Sequence, residues 1–126
     1  MGKVFIVLGA VNGFLSVALG AFGAHGLRSQ ISAHMLTVFQ TGVQYQMYHA
    51  LALLFIGLWA ERNPQLRYIN WSGGLLLLGI VLFSGSLYLL AITGTRSLGM
   101  ITPFGGICFL SGWAILAAGL LRSGKY

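Results

Sequence analysis

The stretch GGLLLLGIVLFSGSLYLLAI, residues 73–92, runs for twenty positions without an Asp, Glu, Lys or Arg. Coiled as an α-helix at 1.5 Å per residue it is about 30 Å long, the thickness of a bilayer's hydrocarbon core. Its apolar residues follow one another without alternation, which selects a helix over a barrel strand. In lipid a helix also satisfies its own backbone amides and carbonyls. Three further stretches have the same character: residues 4–24, about 43–60 and 103–121. The fold this predicts is an all-α membrane protein, a four-transmembrane-helix bundle forming a single domain over residues 1–126.

Composition excludes the alternatives. Of 126 residues, 57% are hydrophobic, 19 are glycine and only 6% are charged, where a soluble domain carries ~25% charge. A water-soluble globule, a disordered tail and a nucleic-acid module are ruled out. The net charge of +6 comes from seven cations against one acid, Glu61. These cations sit at the ends of apolar runs and form no basic stripe, so their expected partners are anionic lipid headgroups, not nucleic acid. A single cysteine, Cys108, excludes an intrachain disulfide and any CxxC site.

Loop charge sets the orientation. Lys3, Arg62, Arg67, Arg122 and Lys125 fall on one side of an even-span protein, Arg28 and Arg96 on the other. Cytoplasmic loops are enriched in Lys and Arg, so both termini are expected in the cytoplasm. Trp59, Tyr68, Trp71 and Tyr126 fall near that interface, where aromatic rings anchor. The first span follows Lys3 like a signal peptide, but its apolar run is long for one. In the connection 27–39, Leu27, Ile31, Met35 and Val38 recur at helical spacing opposite Arg28, Gln30 and Ser32. That pattern predicts a short amphipathic helix lying on the outer interface between spans 1 and 2.

Small residues stripe two spans. Gly9, Gly13, Ser16, Gly20 and Gly23 are spaced for one face of span 1, and Gly105, Cys108, Gly112 and Gly119 do the same in span 4. Such stripes let backbones approach closely, within the bundle or between protomers. Span 2 is the polar one: Tyr45, Gln46 and His49 share a region of its outer half, with Asn12, Ser16, Ser84 and Ser86 at similar depth on other helices. Polar groups in hydrocarbon turn inward and find partners. Two readings stay open, a buried hydrogen-bond cluster and a ligand-facing or partner-facing site.

Chemistry-bearing motifs are few. No carboxylate lies inside a span, which argues against a proton pump or cation transporter. His25 and His49 sit about 12 Å apart in depth, unsuited to clasping one haem. His25, His34, Met35 and Met100 are scattered without metal-ligand spacing, and neither HExxH nor GxSxG occurs. No catalytic residue, metal or cofactor is assigned.

The strings GAFGAHGL (20–27), TGVQYQMYHALALL (41–54), FSGSLYLLAITG (83–94) and TPFGGICFLSGWAILA (102–117) carry a resemblance over nearly the whole chain. They resemble domain-of-unknown-function family 423, small bacterial inner-membrane proteins to which eukaryotic transmembrane protein 256 is similar. The resemblance implies a multi-pass protein of the bacterial inner (plasma) membrane with four helices and no assigned activity. It supplies no catalytic residues. It marks His25, Gln46, Tyr48, His49, Ser84, Tyr88, Pro103 and Gly105 as family-motif positions.

The expected function is a non-enzymatic structural or accessory protein that self-associates as a homo-oligomer or docks on a larger membrane complex. The alternative is a site for a lipid, quinone or other apolar small molecule held by Tyr45, Gln46 and His49. A transporter or channel would need a polar path through the cytoplasmic half, where Leu51–Leu58 and Leu75–Leu82 offer almost none.

Overall fold

Ser32, Pro64, Gly94 and Pro103 punctuate the chain, and between them run four long helices. In this computed structural model, which describes residues 1–123, they are α1 (Gly2–Leu27), α2 (Ala33–Arg62), α3 (Arg67–Thr93) and α4 (Thr102–Ser123). Ser32 caps α2 by accepting a hydrogen bond from Met35 N at 3.1 Å. Nothing breaks α2 for 30 residues until Asn63 and Pro64. Gly94 ends α3 with φ 71°, a left-handed conformation that costs glycine nothing. Pro103 stands in the first turn of α4, where its missing N–H is not needed. Two π-helical turns interrupt the α geometry, Gly23–Leu27 closing α1 and Ile80–Ser84 midway along α3.

By length and composition, α1, α3 and the segment Arg96–Arg122 are apolar enough to cross a membrane. α2 is not among these three, because Gln44, Gln46 and His49 dilute its hydropathy. The separate amphipathic helix expected over 27–39 does not form. Its first half is the end of α1 and a turn; its second half, from Ala33, is the opening of α2. The same Leu27, Met35 and Val38 that suggested an interfacial face instead pack into a small core cluster with Phe39, Ala91 and Tyr88.

Neighbouring helices run antiparallel and approach closely at glycines. A Cβ at Gly57 would meet Gly2 O and Ile6 N, and one at Gly9 would meet Ala50 O and Leu54 N at 2.8 and 2.9 Å. α1 and α2 are thus in backbone contact. α4 meets α3 in the same way, with Gly105 against the Phe83 backbone, Gly112 against Leu76 and Gly119 against Tyr68. Gly20 and Gly23 face Val43 and Phe39, but Gly13 has nothing within 4 Å of a Cβ. At about 100° per residue, Gly13 lies roughly 40° beyond Gly9, on the side away from buried Phe5 and Asn12. The spacing places it on the stripe while helical rotation carries it off the contact.

The main core gathers Phe5, Leu53, Ile56, Ile69, Leu76, Phe109 and Leu116. Outside it, Val7, Phe14, Val17, Leu78, Val81, Leu89, Phe104, Ile107 and Leu110 form an exposed apolar belt. Lys3, Arg62, Arg67 and Arg122 fall at one end of the helices, Arg28 and Arg96 at the other. Lys125 and Tyr126 lie outside the described residues.

Candidate functional site

Gln46 is the junction of the polar cluster. It faces inward from α2 and is 5% exposed. Its amide Nε2 donates to Asn12 Oδ1 of α1 at 2.9 Å, and its Oε1 accepts from the Tyr88 hydroxyl of α3 at 2.6 Å. Asn12 Nδ2 donates in turn to Leu8 O at 2.8 Å, and the Ser16 hydroxyl donates to Asn12 O at 2.8 Å. One amide therefore ties three helices through side chains alone. The Gly42 carbonyl, a turn before Gln46, accepts the Ser84 hydroxyl across the same α2–α3 seam at 2.7 Å. Ser84 closes the π turn of α3, whose altered register aims it at α2.

His49, one turn on, ties α2 to α4. Its Nε2 accepts the indole N–H of Trp113 at 3.0 Å, and its Nδ1 lies 2.7 Å from Tyr45 O. A nitrogen that accepts carries no proton, so the ring is the neutral Nδ1–H tautomer, donating to the Tyr45 carbonyl. The imidazole lies flat on Phe109, centroids 3.7 Å apart and planes at 9°. Ser86 donates to Phe83 O at 2.9 Å and stands 2.5 Å from Thr102 Oγ1 at the start of α4. Further along, Ser72 of α3 donates to Gly112 O of α4 at 2.8 Å.

The arrangement is a set of interhelical clasps in which both polar ends of Gln46 are taken by side chains of neighbouring helices. Each such bond contributes on average ~0.6 kcal/mol and at most ~1.7 kcal/mol in a membrane. Stripping one partner leaves a buried polar group unmade, a cost of about 1–3 kcal/mol. Of the other candidate residues, Tyr45 is 37% exposed and lies against Phe83 and Phe109 without joining the clasps, and Tyr48 is 56% exposed. His25 closes α1 in the open, its Nδ1 3.0 Å from Ala21 O, and Pro103 is exposed. Sequence reasoning missed Trp113, Ser72 and Thr102. Trp113 was hidden because an indole in an apolar run reads as bulk; Ser72 had the same signal as Ser84, a small hydroxyl at a helix seam.

Grooves lie elsewhere. One of about 380 Å³ is lined by Met1, Asn70, Trp71, Gly74, Leu75 and Leu78, and another of about 160 Å³ by Met1, Gly2, Ala60, Glu61, Pro64 and Asn70. Both open at the end that carries Lys3 and Arg62, away from Gln46 and His49. Asn70 lines both grooves, and its Oδ1 and Trp59 Nε1 are buried without a hydrogen-bond partner among the described residues. No group of three or more His, Cys, Asp or Glu that could hold a metal ion occurs among the described residues.

Comparison with known proteins places the chain among membrane proteins. Residues 19–106 match the family described as "Protein of unknown function (DUF423)". The chain is 50% identical over 120 residues to the UPF0382 membrane protein SSP2132 of Staphylococcus saprophyticus, covering 95% of this chain and 98% of that one. It is 48% identical over 120 residues to the UPF0382 membrane protein YwdK of Bacillus subtilis, covering 95% and 98%. The UPF0382 membrane protein SAB0533 of Staphylococcus aureus is 50% identical over 114 residues, covering 90% and 92%. No solved structure matches. The match includes the residues that build the Gln46 junction on α2 and α3, and the chain belongs to the DUF423 family of membrane proteins.

Proposed function

We propose that the protein is a four-span component of the bacterial plasma membrane, both termini in the cytoplasm, with a structural or accessory role and no enzymatic one. It self-associates or docks on a larger membrane complex. The observation that carries this reading is the Gln46 junction: amide oxygen and nitrogen are both used within the bundle, so the chain's most distinctive polar residues serve to hold helices together. α2 crosses as the fourth span. Its 30 residues reach about 45 Å, and Gln46 and His49, two of the residues that lower its hydropathy, are buried between helices and away from lipid. No interfacial helix is needed between spans 1 and 2, since Ala33–Phe39 extends α2 itself.

The same observation weighs against a lipid or quinone site built on Gln46 and His49. Among the described residues there, Tyr45 keeps an uncommitted hydroxyl, on a shelf of Phe83 and Phe109. Native mass spectrometry of protein extracted from its own membrane in mild detergent tests the proposal. A homo-oligomer or a co-purifying subunit without small ligand is expected. A strict monomer with one stoichiometric bound small molecule overturns it.

A further inference from the structure

The outward face of α2 changes character along its length. Leu51, Phe55 and Leu58 are exposed toward one end, 52–59% each, as expected against lipid. Toward the other end the same face presents Thr37, Gln40, Gln44 and Tyr48, at the spacing of one helical stripe. The Thr37 hydroxyl is spent on Ala33 O and the Thr41 hydroxyl beside it on Thr37 O. The exposed amides of Gln40 and Gln44 have no hydrogen-bond partner among the described residues.

Depth makes this stripe anomalous. Gly20 faces Val43, Gly42 faces Ser84 and Tyr88, and Gly105 faces Phe83, so these levels coincide. There the other helices expose Val17 and Phe22 of α1, Leu89 of α3 and Phe104 of α4, between 48% and 64% each. Among the described residues the apolar belt thus continues around the molecule at the height of Gln40 and Gln44 and is interrupted on α2. Thr93 and Arg96, where α3 ends, mark the outer edge of the belt. Thr37 sits near that edge, and Gln44 is seven residues, about 10 Å, further in. Bare primary amides at that depth lack both water and protein partners.

The geometry points to a second copy of this chain covering the stripe, α2 against α2. This rests on the reading of the protein as a self-associating four-span bundle and names the surface. The stripe bears no formal charge, so it calls for no oppositely charged partner. A carboxamide both donates and accepts, and is therefore complementary to itself. Two copies inserted with the same orientation are related by a two-fold axis along the membrane normal, which brings each residue near its own equivalent. Gln44 of one protomer then pairs with Gln44 of the other, and Gln40 and Tyr48 flank the pair one turn to either side.

Single cysteines introduced into a Cys108→Ser background and oxidised with copper–phenanthroline in native membranes test this. Gln44→Cys is expected to form a covalent dimer, while Val17→Cys and Phe104→Cys, exposed at the same depth on α1 and α4, are not. Gln44→Leu, at an exposed position where the monomer's fold does not depend on it, is expected to weaken the dimer roughly threefold to tenfold in mild detergent. Cross-linking from Val17→Cys or Phe104→Cys but not from Gln44→Cys overturns this surface while leaving self-association standing. A heterologous adduct at Gln44→Cys overturns the choice of a second copy. No cross-link at any position, with a monomer by native mass spectrometry, overturns both the surface and self-association.

Discussion

Replacing Gln46 with leucine keeps the bulk and removes two hydrogen bonds at once, leaving Asn12 Oδ1 and the Tyr88 hydroxyl without partners between helices. The expected loss is about 1–3 kcal/mol, read as a shift in unfolding by detergent titration in bicelles. Asn12→Leu in the same background should cost less than it does alone, since its main partner is already gone. An additive result would show that the junction is not one unit. At His49 the structure makes a spectroscopic prediction. With Trp113 donating to Nε2, the proton must stay on Nδ1, so ¹⁵N spectra should report the neutral Nδ1–H tautomer. Trp113→Phe should keep that tautomer, since Nδ1–H still donates to the Tyr45 carbonyl, but shift the Nε2 resonance, and an unchanged Nε2 shift would count against the indole hydrogen bond. Asn12, Ser16, Gln46, His49, Ser84 and Ser86 stood out in the sequence by type, whereas Trp113, Ser72 and Thr102 did not. Their pairing was not legible, because a residue's position along a helix says nothing of which neighbour it will face.

Helix seams are set by glycines of unequal importance. Gly57→Ala and Gly105→Ala drive a methyl group into the backbone of the facing helix, at Gly2 and Ile6 in one case and Phe83 in the other. Backbone cannot yield as a flexible side chain can, so both variants should lose at least about 2 kcal/mol of stability or separate their helix pairs. Gly13→Ala should be neutral or slightly stabilising, since a Cβ there meets nothing and alanine favours helix. Thermal melts of the three variants in one detergent would check the ordering, and equal losses would contradict the seam assignments. The stripe motif in the sequence marked Gly9, Gly105 and Gly112 alongside Gly13, but passed over Gly2 and Gly57. Small-residue spacing marks where an approach is allowed; only the rotation of each helix in the bundle selects which glycines are used. The amphipathic reading of 27–39 failed on the same ground, because a partly apolar helical face packs as readily against α1 and α3 as against a lipid surface.

For the molecule as a whole, loop charge predicts orientation. Cysteines placed at Ser29 and Thr95, in a Cys108→Ser background, should react with an impermeant maleimide added outside intact cells, and one at Gln65 should not. The reverse pattern would invert the topology. The sequence by itself determined that this chain belongs in a membrane, as helices, because runs of about twenty uncharged residues have no other stable environment. Tertiary structure decided what periodicity cannot: that α2 turns Gln46 and His49 inward against the other helices, that Gln46 is shared between Asn12 and Tyr88, and that His49 meets an indole. The physical reason is that hydropathy is a sum over one segment, whereas a hydrogen bond between helices depends on the register and rotation of two.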